Sequence, residues 1–66
     1  MRVIVNGTAH ELADGSTIAG LVVQLDLAGR RLAVEVNEEI VPKSLHAMHA
    51  LRDGDRVEIV HAIGGG

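Results

Sequence analysis

The chain opens on alternation. In "MRVIVNGTAHEL", Val3 and Val5 share one face with Ile4 between them, and the run breaks at Asn6-Gly7. An Asn-Gly pair is the strongest short-range hairpin signal, because a type I′ turn needs positive φ at both central residues. Residues 2–6 and 8–12 are therefore predicted to form a hairpin, closed by a second turn at "ADG".

The period then changes. Ile18, Leu21, Val22 and Leu25 fall at i, i+3, i+4 and i+7, the stripe of an amphipathic helix. Ser16 or Thr17 supplies the N-cap oxygen, without the Glu or Gln that would complete a capping box. Gly29 is expected to stop the helix, with Leu27 near its end. Gly20 inside it costs about 1 kcal/mol relative to Ala, a cost that close packing of another segment would justify. "RRLAVEV" returns to period two, with Leu32, Val34 and Val36 inward and Arg31, Ala33 and Glu35 outward. "NEE" turns, and "IVP" is a short extended piece ended by Pro42, whose missing N–H suits an edge. "KSLHAMHAL" is expected to hold a turn or two of helix capped by Ser44. A turn at Asp53-Gly54 leads into a last strand with Val57 and Ile59 on one face. This order predicts an α+β domain: a mixed sheet of four to five strands with one main helix packed across one face. The first and last strands are placed side by side in the middle, running parallel.

Composition narrows the picture. A chain of 66 residues is one small domain that buries only about 60% of its unfolded surface. Hydrophobic residues make up 47% of it, with no Phe, Trp or Tyr, so the core must be aliphatic. Missing aromatics remove the stacking platforms of single-strand nucleic-acid binders. A net charge of −3 also disfavours phosphate backbones and suits a basic patch on a partner. Without cysteine there are no disulfides and no thiol chemistry from the side chains of this chain. With no leader and no membrane-length apolar run in the sequence, a soluble cytoplasmic protein is expected, without nucleic-acid or membrane partners.

Candidate chemistry on side chains is sparse. His46 and His49 are three apart, but a zinc site needs further ligands, which only His10, His61 or carboxylates would supply, and no HExxH spacing occurs. Ordinary surface or half-buried histidines explain them, and no metal is expected. Adjacent Glu38 and Glu39 diverge in a turn, and Asp53-Gly54-Asp55 lacks the EF-hand spacing. Thr8, Ser16, Thr17 and Ser44 sit in no nucleophile elbow, and no phosphate-binding glycine motif is present.

What remains is the end, "HAIGGG". A frayed terminus is one reading of it. The other is that the strand through "RVEIVHAI" runs nearly into the glycines and projects them. Residues 1–63 would then form the domain, and residues 64–66 a flexible glycine tail. Three residues without Cβ form a thin, conformationally free segment that fits a narrow channel. A terminal carboxylate is ionised at neutral pH and can attack the α-phosphate of ATP to give an acyl-adenylate.

"V-N-G" after the first strand, "DG-x-T-I-x-x-L" opening the helix, "AVEVN-x-x-IVP", "DGDRVEIV" and a C-terminal Gly-Gly together resemble the ThiS family of sulfur carrier proteins of thiamine biosynthesis. The resemblance covers essentially the whole chain and implies a ubiquitin-like β-grasp fold. It implies that a ubiquitin-activating-like adenylyltransferase, using ATP and magnesium, adenylates the carboxylate of Gly66. Sulfur from a cysteine desulfurase or another persulfide donor would then replace the adenylate, leaving a thiocarboxylate that thiazole synthase consumes. The chain itself would be a protein cosubstrate and not an enzyme, with no cofactor bound. Gly65 and Gly66 match the family's functional pair, and Gly64 is an extra glycine before it. Val60, Ala62 and Ile63 form the apolar patch expected to meet partners beside the glycines; ordinary sheet packing of Val60 and Ile63 is the alternative. The small subunit of molybdopterin synthase is the nearest rival, but it tends to carry prolines and aromatics before Gly-Gly, and neither occurs here. A tRNA-thiolation carrier, a ubiquitin-like modifier joined to lysines, and a β-grasp interaction module without sulfur chemistry are further readings.

Overall fold

In the computed structural model, which describes residues 1–61, a five-stranded sheet carries one helix. The elements run β1 (Arg2–Val5), β2 (Thr8–Glu11), α1 (Ile18–Gln24), β3 (Leu32–Val36), β4 (Glu39–Val41), a 3-10 turn (Lys43–Leu45) and β5 (Arg56–His61). The sheet order is β2-β1-β5-β3-β4. Only the β1–β5 pairing is parallel, with Val5 opposite Val57; the other neighbours are antiparallel. The first and last strands thus lie together in the middle, as the pattern predicts, and the sheet is mixed with five strands.

Alternation decides which face is buried. Val3, Val5, Val34, Val36, Val41, Val57 and Ile59 point to one side, where Ile18 and Leu21 of α1 cover them together with Leu12 and Leu51. Among the described residues the core is wholly aliphatic, and no polar or charged residue is buried in it.

The turns follow from backbone sign. Asn6 and Gly7 both have positive φ (48° and 83°), as a type I′ hairpin requires. Asn6 does a second job: its Nδ2 donates to the Ile59 carbonyl at 3.0 Å, and the Ile59 N–H donates to its Oδ1 at 2.8 Å. The side chain continues the β1–β5 ladder beyond Val5 by one rung. A second two-residue hairpin at Asn37-Glu38 also takes positive φ (51° and 71°). A Glu there is strained, because left-handed backbone costs an L-residue about 1–2 kcal/mol. It is held in place by the register that buries Val36 and Val41 on either side of the turn. Glu38→Gly is expected to stabilise the fold by about 0.5–1 kcal/mol, after the extra freedom of glycine in the unfolded chain is subtracted. Urea unfolding checks this, and a loss of stability would contradict it.

Two expectations need correction, the helix stop and the Ser44 cap. The helix ends at Gln24, well before Gly29. Asp26 adopts the left-handed conformation (φ 61°), its N–H donates to the Val23 carbonyl, and the Leu27 N–H donates to the Val22 carbonyl at 2.9 Å. That is a Schellman stop with Asp in the usual glycine place, and Leu27 and Val22 both pack against the core. Gly29 (φ 83°) instead serves the following turn, closed from the Arg30 N–H to the Leu27 carbonyl. Ser44 caps nothing; it lies inside the 3-10 turn, which has Pro42 at its N-cap and no side-chain capping bond. No segment crowds Gly20, where an added Cβ would meet only Thr17 Oγ1 at 3.6 Å.

Thr17 is the N-cap of α1, accepting from the Gly20 N–H at 3.1 Å, while Ser16 Oγ donates to the Ala13 carbonyl in the preceding turn. The other free N–H groups of the first turn are met by the segment after the 3-10 turn: Ile18 donates to the His49 carbonyl and Ala19 to the His46 carbonyl. The Leu51 N–H returns a bond to the Ser16 carbonyl. This exchange ties the irregular stretch to the helix.

Candidate functional site

The candidate site is approached along β5, the central strand. It is bonded to β1 on one side and to β3 on the other, so neither of its edges is open. It ends at His61, opposite Leu32 at the start of β3. Gly66, expected to react, and Ala62, Ile63, Gly64 and Gly65, expected to contact partners, lie outside the described residues. Of the expected site residues, Val60 is described. It stands on the outer face of the sheet, 55% exposed and opposite Ala33, so it is no part of the core.

The outer face around Val60 mixes apolar and acidic groups. Ile40 on edge strand β4 is 72% exposed, and it neighbours Glu35, which is itself directly opposite Glu58. Two like charges directly across a ladder oppose folding slightly.

The histidines do not assemble. His46 lies half-buried with Nε2 3.0 Å from the Val41 carbonyl, and it is the backbone carbonyls of His46 and His49 that serve the helix start. Among the described residues no group of three or more His, Cys, Asp or Glu comes together as metal ligands. Asp53 and Asp55 do turn chemistry. Asp53 Oδ1 accepts from the Arg2 N–H at 2.7 Å, and Asp55 accepts from the Arg52 N–H and from Asn37 Nδ2. Glu38 and Glu39 are both exposed, Glu38 in the hairpin turn and Glu39 opening β4.

One feature of the His61 end escaped the sequence pattern. Arg30, Arg31, Lys43 and His46 line a common groove of about 150 Å³ with Val22 and Leu32. Its members come from the α1–β3 connection and from the 3-10 turn, which only the fold brings together.

A mixed five-stranded sheet with a parallel central pair and one helix across one face defines a ubiquitin-like β-grasp domain. The chain belongs to the ThiS family, whose model matches residues 3–66. It is similar to the sulfur carrier protein ThiS of Escherichia coli, 35% identical over the full length of both chains. The crystal structure of the thiamine biosynthesis protein ThiS from Geobacter metallireducens superposes with a TM-score of 0.86 at 29% identity, covering all of both chains. A thiazole synthase of Paramagnetospirillum magneticum is 44% identical over all 66 residues, but the chain spans only about a fifth of that protein's length. Among the described residues no helix is long and apolar enough to cross a membrane.

Proposed function

We propose that this chain is a sulfur carrier for thiazole formation in thiamine biosynthesis, acting through the carboxylate of Gly66. The observation that carries this reading is the match to the E. coli sulfur carrier, which runs over the full length of both chains. In the proposed cycle the Gly66 carboxylate attacks the α-phosphate of ATP, held with magnesium by a ubiquitin-activating-like adenylyltransferase, and pyrophosphate leaves. A persulfide on a cysteine desulfurase or similar donor then attacks the glycyl carbon and displaces AMP to give an acyl persulfide. A second thiol cleaves its S–S bond, releasing the thiocarboxylate and leaving the donor sulfur in a disulfide. The resulting thiocarboxylate gives its sulfur to thiazole synthase. The last partner is supported by thiazole synthases that contain a segment similar to this chain. The chain is a cosubstrate in this scheme; its fold supplies presentation and the partners supply catalysis. All of these steps fit a cytoplasmic setting.

Incubation with the adenylyltransferase, ATP, magnesium, cysteine and a desulfurase, followed by intact-mass spectrometry, tests the first half. The expected result is a gain equal to replacing one oxygen by sulfur, located on Gly66. A chain that forms neither adenylate nor thiocarboxylate contradicts the proposal.

A further inference from the structure

The net charge of −3 hides a segregation of charge. Of the six lysines and arginines, Arg30, Arg31 and Lys43 line the groove at the end of the sheet where β5 finishes; Leu32, in the same lining, faces His61 across the ladder. Among the described residues no carboxylate lines this groove or the more open one that continues it past Ala19, Val23 and Ala47. Nor does any of the three cations form an ion pair with a described carboxylate. Asp26, at the stop of α1, is the only acid on the connection that carries Arg30 and Arg31, and it stays outside both linings. The other described acids lie elsewhere: Glu35 and Glu58 on the outer face, Glu38, Glu39, Asp53 and Asp55 toward the opposite end, and Glu11 and Asp14 beside Met1.

We infer that this groove docks a carboxylate-bearing loop on the rim of the adenylating enzyme; the inference rests on the carrier reading given above. Charge complementarity selects this occupant. The tail carboxylate and the phosphates of ATP are both anions, so the approach of the tail is opposed by its own charge and attraction must come from elsewhere on the carrier. Three cations next to the end of β5, without an ion pair to any described carboxylate, supply it where it orients the molecule tail-first. Arginine matches carboxylate in a bidentate fork, and the half-buried Val22 and Leu32 give the groove the apolar floor of a protein contact. Steering of this kind acts on encounter and fades with salt.

The test uses the full-length chain with Arg30→Glu and Arg31→Glu together, both exposed positions. ATP–pyrophosphate exchange by the adenylating enzyme is followed against carrier concentration and ionic strength. At low salt the KM for the carrier is expected to rise about tenfold or more, with kcat nearly unchanged. The wild-type KM is expected to climb with salt while that of the variant does not. Arg30→Lys with Arg31→Lys, which keeps the charge but loses the fork, is expected to raise the KM less than charge reversal does. A charge-reversed chain with the wild-type KM and salt dependence overturns the inference. If the wild-type chain is never adenylated, it is the carrier reading that fails. The groove is then decided by nuclear magnetic resonance titration of the chain with an Asp/Glu-rich peptide. Shifts confined to residues 30–32, 43 and 46 support it, and shifts that are absent or centred on Arg2, Arg52 and Arg56 refute it.

Discussion

Adding a single residue after Gly66 is expected to abolish charging while leaving the fold untouched. The extension turns the Gly66 carboxylate into an amide, which has no ionised oxygen to attack phosphorus. It also moves the nearest free carboxylate onward by about 3.3–3.6 Å. Misplacing a reacting group by as little as about 1 Å can cost on the order of a hundredfold in rate, so a displacement of several ångströms together with loss of the nucleophile should leave no measurable adenylation. The core described runs from Val3 to Ile59, and an extension after Gly66 alters none of these residues. Urea unfolding of the extended chain should therefore match that of the wild type. Unchanged charging of the extended chain would show that another group reacts.

Ile18→Ala should have the largest effect on stability. Ile18 is fully buried, and with Leu21 it is how the only helix among the described residues covers the sheet. Removing a buried Ile side chain costs about 2–5 kcal/mol once the cavity is included. A domain of this length has about 3–10 kcal/mol in total. No aromatic neighbour is present to fill the space, since the core is entirely aliphatic. The variant is expected to lose most of its stability, read as a large fall in the urea midpoint with a similar slope, and to be charged poorly at assay temperature for that reason. A loss below about 1 kcal/mol would mean that the site collapses to fill the gap and that the helix is not the lid of this core.

Much of this architecture is legible in the residues. Period-two runs around Asn6-Gly7 and through "RRLAVEV" predict β1, β2 and β3 because strand faces are set by burial, and the buried valines obey that rule. The end of α1 is less legible. Leu25 and Leu27 keep the apolar pattern going after the backbone has left the helix, because both still pack against the core. Gly29 invites the stop, but Asp26 takes the left-handed turn first. The segment from Lys43 to Leu51 is hardest, since its main contribution is backbone carbonyls offered to the first turn of α1, and carbonyls leave no mark on side-chain pattern. Arg30 and Lys43 are far apart in sequence and meet only through the fold. The end proposed to react is the opposite case: elimination of the side-chain constellations leaves the glycines, and the chemistry comes from the resemblance to the ThiS family.

Sulfur transfer is the central step of the proposed carrier role. The chain, charged with isotopically heavy sulfur and purified, is given to thiazole synthase with its remaining substrates, and product and carrier are weighed. The heavy sulfur is expected in the thiazole ring, with the carrier returned to its uncharged mass. Heavy sulfur that stays on the carrier, or a carrier found joined to lysine side chains, would contradict the account.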